Sequence, residues 1–276
     1  MRRFSTTFII GTGVFGLSLL DHITKARPSD KAVAFDSGEK ESAVNDTHKI
    51  TRPLYPSKRR TEIATENHEA WKAVREHYAP IGRLEITDDI SKLDAIDVHL
   101  SKPRERHTKE SIAKLLESPA ILPRMRLVWE FAWNILNTAN DPSLCCIWNE
   151  DDGVINWNPC IEEIRRPLQS MIRDKGVTRL IVGDEGWIRG LQLESGETIE
   201  ISKEDQVVLT AGAWTAQLLK KSNIAAPPKG FRTVGVFTFP LKLNELHWEY
   251  IKDLPALSFQ TREINCRLPP CISIRY

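Results

Sequence analysis

Apolar positions along the chain fall into two spacings, and the switches between them mark out its elements. Phe8-Ile9-Ile10 is a short unbroken apolar run of the kind that buried parallel strands use. Leu17, Leu19, Leu20 and Ile23 follow at helical intervals up to Lys25, and residues 31–35 read as a second strand. Farther on, residues 61–78 and 124–137 predict helices with one apolar face. The first carries Ile63, Ala64, Trp71, Val74 and Tyr78, the second Met125, Val128, Trp129, Ala132, Ile135 and Leu136. Trp129 and Trp133 are read there as core aromatics rather than as the lining of a site entrance. Residues 158–175 repeat the helical spacing through Ile161, Ile164, Leu168, Met171 and Ile172, but Pro167 predicts a kink or a break. Residues 177–182, 186–193 and 198–202 read as short strands between Gly, Asp, Ser and Glu turns. Val207-Val208-Leu209 opens another apolar strand, and residues 213–221 suit another helix.

Composition narrows the class without naming it. The 276 residues are 41% hydrophobic and 27% charged, enough apolar surface for a real core and too much for a disordered chain. Thirty-eight Lys and Arg against 37 Asp and Glu leave a net charge of +1, which argues against a broadly electropositive nucleic-acid binder. Met1-Arg2-Arg3 and the apolar stretch to Leu20 imitate a secretory signal, but Ser5, Thr6, Thr7 and three glycines interrupt it and no cleavage site precedes Asp21. No uninterrupted 18-residue apolar run exists, so no membrane span is expected. Cys145, Cys146, Cys160, Cys266 and Cys271 form no regular framework and are read as reduced structural thiols in a cytoplasmic protein, with no metal site. His77, His99 and His107 lack ligand spacing, and Lys58-Arg59-Arg60 and Arg104-Glu105-Arg106-His107 read as solvated charge runs.

The chemistry starts at the first turn. Gly11-Thr12-Gly13-Val14-Phe15-Gly16 is a complete G-x-G-x-x-G between the first strand and the first helix. Gly11 permits the tight turn, Gly13 lets backbone approach a pyrophosphate, and Gly16 allows helix to pack closely on strand. The helix N-terminus offers free N–H groups to the anion. Asp36 ends the second strand twenty residues after Gly16, where a carboxylate accepts hydrogen bonds from a ribose hydroxyl. These residues predict a dinucleotide site and leave NAD and FAD both open.

Later segments resemble the FAD-dependent amine oxidases of the D-amino-acid oxidase superfamily, especially the fungal branch of fructosyl amino acid, sarcosine, and L-pipecolate or saccharopine oxidases. Ser42-Ala43-Val44-Asn45-Asp46-Thr47-His48-Lys49-Ile50-Thr51-Arg52, followed by Pro53-Leu54-Tyr55, is similar to the stretch that runs beside the flavin ring in that branch, with His48 where Asn is usual. Val207-Val208-Leu209-Thr210-Ala211-Gly212-Ala213-Trp214-Thr215 looks like the family's apolar strand running into Ala-Gly-x-Trp. The helix, Gly176-Val177 strand and meander between them resemble the returning part of the FAD domain. Thr233 to Leu241, Asn244-Glu245 and Leu254 to Leu257 resemble the first strands of the substrate domain.

The resemblance implies an α/β fold, α+β in its mixture. A Rossmann-like FAD-binding domain (residues 1–80 and 155–225) would be interleaved with a partial antiparallel-sheet substrate domain (81–154 and 226–276). It implies FAD as cofactor, held by Gly11, Thr12, Gly13, Val14, Phe15, Gly16, Asp36, Ser42, Lys49, Val177, Ala211, Gly212 and Trp214. Lys49 and Arg52 would be the catalytic cations near the ring and the substrate carboxylate, since a fixed cation stabilises a reduced flavin. Read from the residues alone, the same loop is a solvated basic segment with turn-forming Pro53 and Pro56. The implied activity is oxidation of the C–N bond of a secondary amine or N-substituted amino acid, giving an imine and hydrogen peroxide, in a monomer. Related proteins can be peroxisomal.

Family members are usually longer, and residues 261–276 match nothing in them. Neither Cys266 nor Cys271 is expected to tether a flavin. A truncated product is the expectation, with weak FAD retention and low activity. The competing readings are an NAD(P)-dependent dehydrogenase, which shares the first turn, and a noncatalytic remnant that binds a nucleotide or a partner.

Overall fold

A computed structural model describes residues 6–38, 49–73, 76–98, 100, 104–139, 141–224, 244–245 and 255–260. In chain order the elements are β1 (Thr6–Ile10), α1 (Val14–Ala26), β2 (Lys31–Phe35), β3 (Lys49–Thr51), α2 (Lys58–Ala73), β4 (Tyr78–Ala79), β5 (Arg83–Thr87), α3 (Ile90–Asp97), α4 (Lys109–Glu117) and α5 (Pro123–Ala139). They continue with β6 (Cys145–Asn149), β7 (Gly153–Ile155), α6 (Trp157–Arg165), β8 (Ile172–Arg173), β9 (Val177–Val182), β10 (Ile188–Leu193), β11 (Thr198–Glu200), β12 (Gln206–Leu209), α7 (Thr215–Lys221) and β13 (Ala256–Gln260). Contacts divide the chain into two units. One holds the described residues of Met1–Thr47 and Trp157–Val236, the other those of His48–Asn156 and Phe237–Tyr276. Residues 49–80, assigned to the cofactor domain on sequence, therefore pack with the second unit.

The first unit is built on a four-stranded sheet in the order β12-β1-β2-β8, parallel at every pairing. Parallel pairing needs both faces covered, and the strand sequences supply apolar residues for both. Phe8, Ile10 and Phe35 join Leu180, Leu191, Leu193, Ile201 and Leu218 in one core cluster. Alternation sends Ile9 and Ala34 to the opposite face, and both are fully buried. Leu17 and Leu20 of α1 are buried as well, each such side chain contributing about 1.5–3 kcal/mol. β9, β10 and β11 form the antiparallel meander expected from the turn spacing. The break expected at Pro167 is present: α6 stops at Arg165 and tightens into a 3-10 turn over Arg166–Met171. Proline has no N–H to give and its ring crowds the carbonyl four residues back.

In the second unit, β5 pairs antiparallel with β6 and parallel with β13, while β3, β7 and β4 form an antiparallel sheet. The antiparallel expectation thus needs amending at β13. Leu84, Ile86 and Cys146 pack against Ile112 of α4 and Val128, Trp129, Ala132 and Leu136 of α5. Trp129 is a core residue, with Trp133 packed at the margin of the same cluster. Tyr78 lies in strand β4 rather than in the helix expected to reach it. Cys145, Cys146 and Cys160 are buried thiols outside any disulfide. Burial pushes the Cys146 thiol up to about 12, which leaves it unreactive at neutral pH. Ser42, His48, His99, the 233–241 segment, Cys266 and Cys271 lie outside the described residues.

In the charge run at 104–107, Glu105 is exposed as expected, but Arg104 and His107 are not solvated. Arg104 donates to Asp97 Oδ1 at 2.7 Å and to Asn149 Oδ1 at 3.1 Å, and its side chain is nearly buried. His107 is also buried, its ring 4.5 Å from that of Trp129. His68 is buried against the edge of Tyr78. Loss of solvent holds both imidazoles below the ordinary value of 6.5, with Lys72 adding to the effect at His68. The unfolded chain then binds protons more readily than the folded one, so stability is full above about pH 6.5 and falls as pH drops towards the folded values. The urea midpoint is expected to decline between pH 7.5 and 5.5, and His107→Gln should flatten that decline; an unchanged slope in the variant would show that His107 is not a source of it.

Candidate nucleotide site

The glycine turn occupies the C-terminal end of β1, where the backbone leaves the sheet for α1. Gly11 has φ +101, a conformation open mainly to glycine, and a Cβ there would lie 2.7 Å from the Thr210 carbonyl oxygen. A Cβ on Gly16 would overlap the Gly11 carbonyl oxygen. Gly13 is the opposite case. Its φ is −64, and a Cβ would meet nothing within 4 Å. Two glycines are therefore demanded by the protein's own packing, and the third faces open space.

Among the described residues, no side chain caps the start of α1. Gly13 is the N-cap and makes no side-chain capping bond, and the first turn carries no acidic residue. The N–H groups and the positive end of the helix dipole are thus left for an outside anion. Val14 and Phe15, placed in the site on sequence, are exposed at this turn.

Asp36 closes the other side. Its Oδ2 accepts from the Thr12 N–H at 2.8 Å and from the Thr12 hydroxyl, and its Oδ1 accepts from the Gly38 N–H at 2.8 Å. Burial would raise its pKa, but these hydrogen bonds, helped by the charge of Arg165, outweigh it and hold the carboxyl below its usual range. Asp36 is thus an anion, and among the described residues Oδ1 accepts from Gly38 alone, leaving one acceptor position open. A Cβ on Gly176, the residue before Val177, would come within 3.1 Å of the Ser37 Cβ, so the start of β9 lies beside the Asp36 end of the turn.

β12 delivers the second half of the cradle. Its register with β1 brings Thr210 over the turn, where its hydroxyl lies 2.7 Å from the Gly11 carbonyl and 3.0 Å from that of Ile10. Ala211 is half-buried, Gly212 is exposed with φ +53, and Trp214 completes a 3-10 turn into α7. Gly11, Thr12, Gly13, Val14, Phe15, Gly16 and Asp36 are therefore assembled at one end of the sheet, with Ala211 immediately after Thr210. Thr210 and Arg165 belong to the same region and were not read from the sequence. Thr210 looked like the last residue of a strand, and Arg165 like one charge on a helix.

Lys49 and Arg52 belong to the second unit. Lys49 pairs with Ile155 across β3 and β7, and the Arg52 guanidinium stacks on the Tyr55 ring, 5.0 Å from its centroid. Nearby, Arg83 Nε donates to Asp152 Oδ2 at 2.5 Å and Arg83 Nη1 lies 3.1 Å from Glu85 Oε2, all three residues being buried. Burial raises the Asp152 carboxyl, and the opposing pulls of Arg83 and Arg52 do not cancel the rise. This charged group was missed too. Arg83, Glu85 and Thr87 alternate as a strand should, but a polar period gives no apolar signal.

No family model matches the chain. Among solved structures, a modified fructosyl peptide oxidase from Aspergillus nidulans superposes with a TM-score of 0.61 over 94% of this chain, at 16% identity. The chain thus shares the fold of this oxidase over the matched length. NikD, an amino acid oxidase essential for nikkomycin biosynthesis, matches 78% of the chain with a TM-score of 0.54 at 16% identity. In sequence, 70 residues are 37% identical to L-saccharopine oxidase of Schizosaccharomyces pombe, a match covering 24% of this chain and 16% of that protein. The chain spans 60% of the fructosyl peptide oxidase and 54% of NikD.

The contrast between the glycines is directly testable. Gly16→Ala should destabilise the protein by about 1–3 kcal/mol, because the added methyl meets backbone. Gly13→Ala should stay within about 1 kcal/mol of the parent, since it enters open space at an allowed φ. Urea unfolding of the two variants decides it, and equal losses would mean the turn is packed differently.

Proposed function

We propose that the chain is the nucleotide-binding and partial substrate-binding portion of an FAD-dependent oxidoreductase acting on the C–N bond of a secondary amine or N-substituted amino acid. The observation that carries this reading is the open Gly13 at an uncapped helix N-terminus, flanked by the ionised Asp36. That arrangement suits a diphosphate and a ribose, and the fold similarity favours flavin over nicotinamide as the rest of the molecule.

The fit to FAD is good on the residues present. Gly11, Thr12, Gly13, Val14, Phe15 and Gly16 would receive the diphosphate, Asp36 the ribose, Val177 the adenine end, and Ala211, Gly212 and Trp214 the edge of the cofactor. The family resemblance adds Ser42, outside the described residues, and Lys49, of the second unit, to the proposed set. When bound, FAD would supply the two-electron acceptor that converts an amine to an imine and passes the electrons to oxygen as hydrogen peroxide. Lys49 would contribute a fixed positive charge, and Arg52 would bind the substrate carboxylate with the paired donors of its guanidinium. The Arg52 guanidinium lies over the Tyr55 ring, which covers one of its faces and restricts its motion. The substrate is a small amine or amino acid. No helix among the described residues is long and apolar enough to cross a membrane.

Titration of the purified protein with FAD, followed by flavin fluorescence, should give saturable binding that Gly13→Ala weakens by about tenfold, the size of one lost charge-assisted contact. Peroxide release would then be measured over N-alkyl amino acids, glycated amino acids and pipecolate. Binding of a nicotinamide dinucleotide in place of FAD would overturn the assignment.

A further inference from the structure

The side of Asp36 that faces the protein is occupied by an ordered chain of donors. Arg165, at the end of α6, donates from Nη1 to Thr12 Oγ1 at 3.4 Å and from Nη2 to Asp174 Oδ1 at 3.2 Å. Thr12 is fully buried, and its hydroxyl also contacts Asp36 Oδ2. A guanidinium can only donate, so the Thr12 oxygen accepts from Arg165 and its single proton goes to Asp36. With the Thr12 N–H on the same oxygen, Oδ2 is saturated; Gly38 fixes Oδ1 from the other side and leaves it one open position. The carboxylate cannot rotate without breaking three hydrogen bonds.

We infer that Arg165 is a positioning residue for the nucleotide ribose: through the Thr12 hydroxyl it fixes the orientation in which Asp36 offers its free acceptor to the adenosine half of the cofactor. The inference rests on the nucleotide-site reading above and adds to it a residue 129 positions from Asp36 and outside the glycine motif. Arg165 also explains why Thr12, rather than a smaller residue, suits the turn. A hydroxyl that both accepts from a fixed cation and donates to a fixed anion has one orientation, and that order is supplied before any nucleotide arrives. Placing α6 against α1 is what brings the guanidinium to the turn, and the break before Pro167 ends the helix at that residue.

The test uses ADP and FAD as ligands of the full chain, with affinities from calorimetry and fluorescence. Thr12→Val keeps the shape and removes the hydroxyl; Arg165→Met keeps the length and removes the donors. Each should weaken both ligands by about fivefold, the worth of one hydrogen bond. The double variant should be no worse than the weaker single one, because both changes break the same relay. Thr12→Ser and Arg165→Lys, which keep a hydroxyl and a cationic donor, should bind within about twofold of the parent, a rescue that a purely structural role would not require. FMN, which lacks the adenosine half, should be insensitive to the two Arg165 changes. Parent-like affinity in Arg165→Met, or losses that multiply in the double variant, would overturn the relay. Asp36→Ala separates the two levels: if it loses ADP while Arg165→Met does not, only the relay fails, and if Asp36→Ala binds ADP as the parent does, the nucleotide reading fails with it.

Discussion

Gly11 and Thr210 touch across 199 positions of sequence, and the candidate site exists because they do. The Thr210 hydroxyl bridges the carbonyls of Ile10 and Gly11, and its own carbonyl stands where a Gly11 side chain would be. This contact follows from the parallel register of β12 on β1, which is set by apolar residues on both faces of the sheet. Once the turn is held there, α1 leaves at a fixed angle and Gly16 must pack against the Gly11 carbonyl. Gly13 is then the one glycine of the motif whose missing side chain serves nothing inside the protein.

That division of labour links packing to chemistry. Gly11 and Gly16 answer a steric demand, and Asp36 answers an electrostatic one, its charge kept by hydrogen bonds from Thr12 and Gly38 against the cost of burial. An uncapped helix start and an ionised carboxylate sit on the two sides of an open glycine. The uncapped helix start costs stability in the empty protein, whereas the Asp36 charge is held favourably by its hydrogen bonds. A ligand carrying a diphosphate offsets the first term, and its ribose diol finds an acceptor already ionised.

Much of this was legible in the sequence where the signal is local. The run Phe8-Ile9-Ile10, the spaced glycines and the acid after the second strand are close in sequence, and each has its own physical reason. The break at Pro167 and the apolar face of α5 were legible for the same cause. What stayed hidden depends on distant segments meeting. Thr210 and Arg165 gain their roles only when β12 and α6 reach the turn. Arg83, Glu85 and Asp152 form a buried polar group that no hydrophobic period can announce, and Arg104 and His107 became buried because Asp97, Asn149 and Trp129 supply partners. Within a substrate domain expected as an antiparallel sheet, β13 pairs parallel with β5, a long-range pairing that the strand's own residues do not announce.

Amide hydrogen exchange of the protein with and without FAD tests the cradle most directly. Protection should appear at residues 12–17, where the helix start would bind the diphosphate, and at residues 36–38 beside the ribose, with the core of the second unit little changed at its Leu84 and Ile86 amides. Protection that spares residues 12–17 while FAD is demonstrably bound would contradict a nucleotide site at the glycine turn.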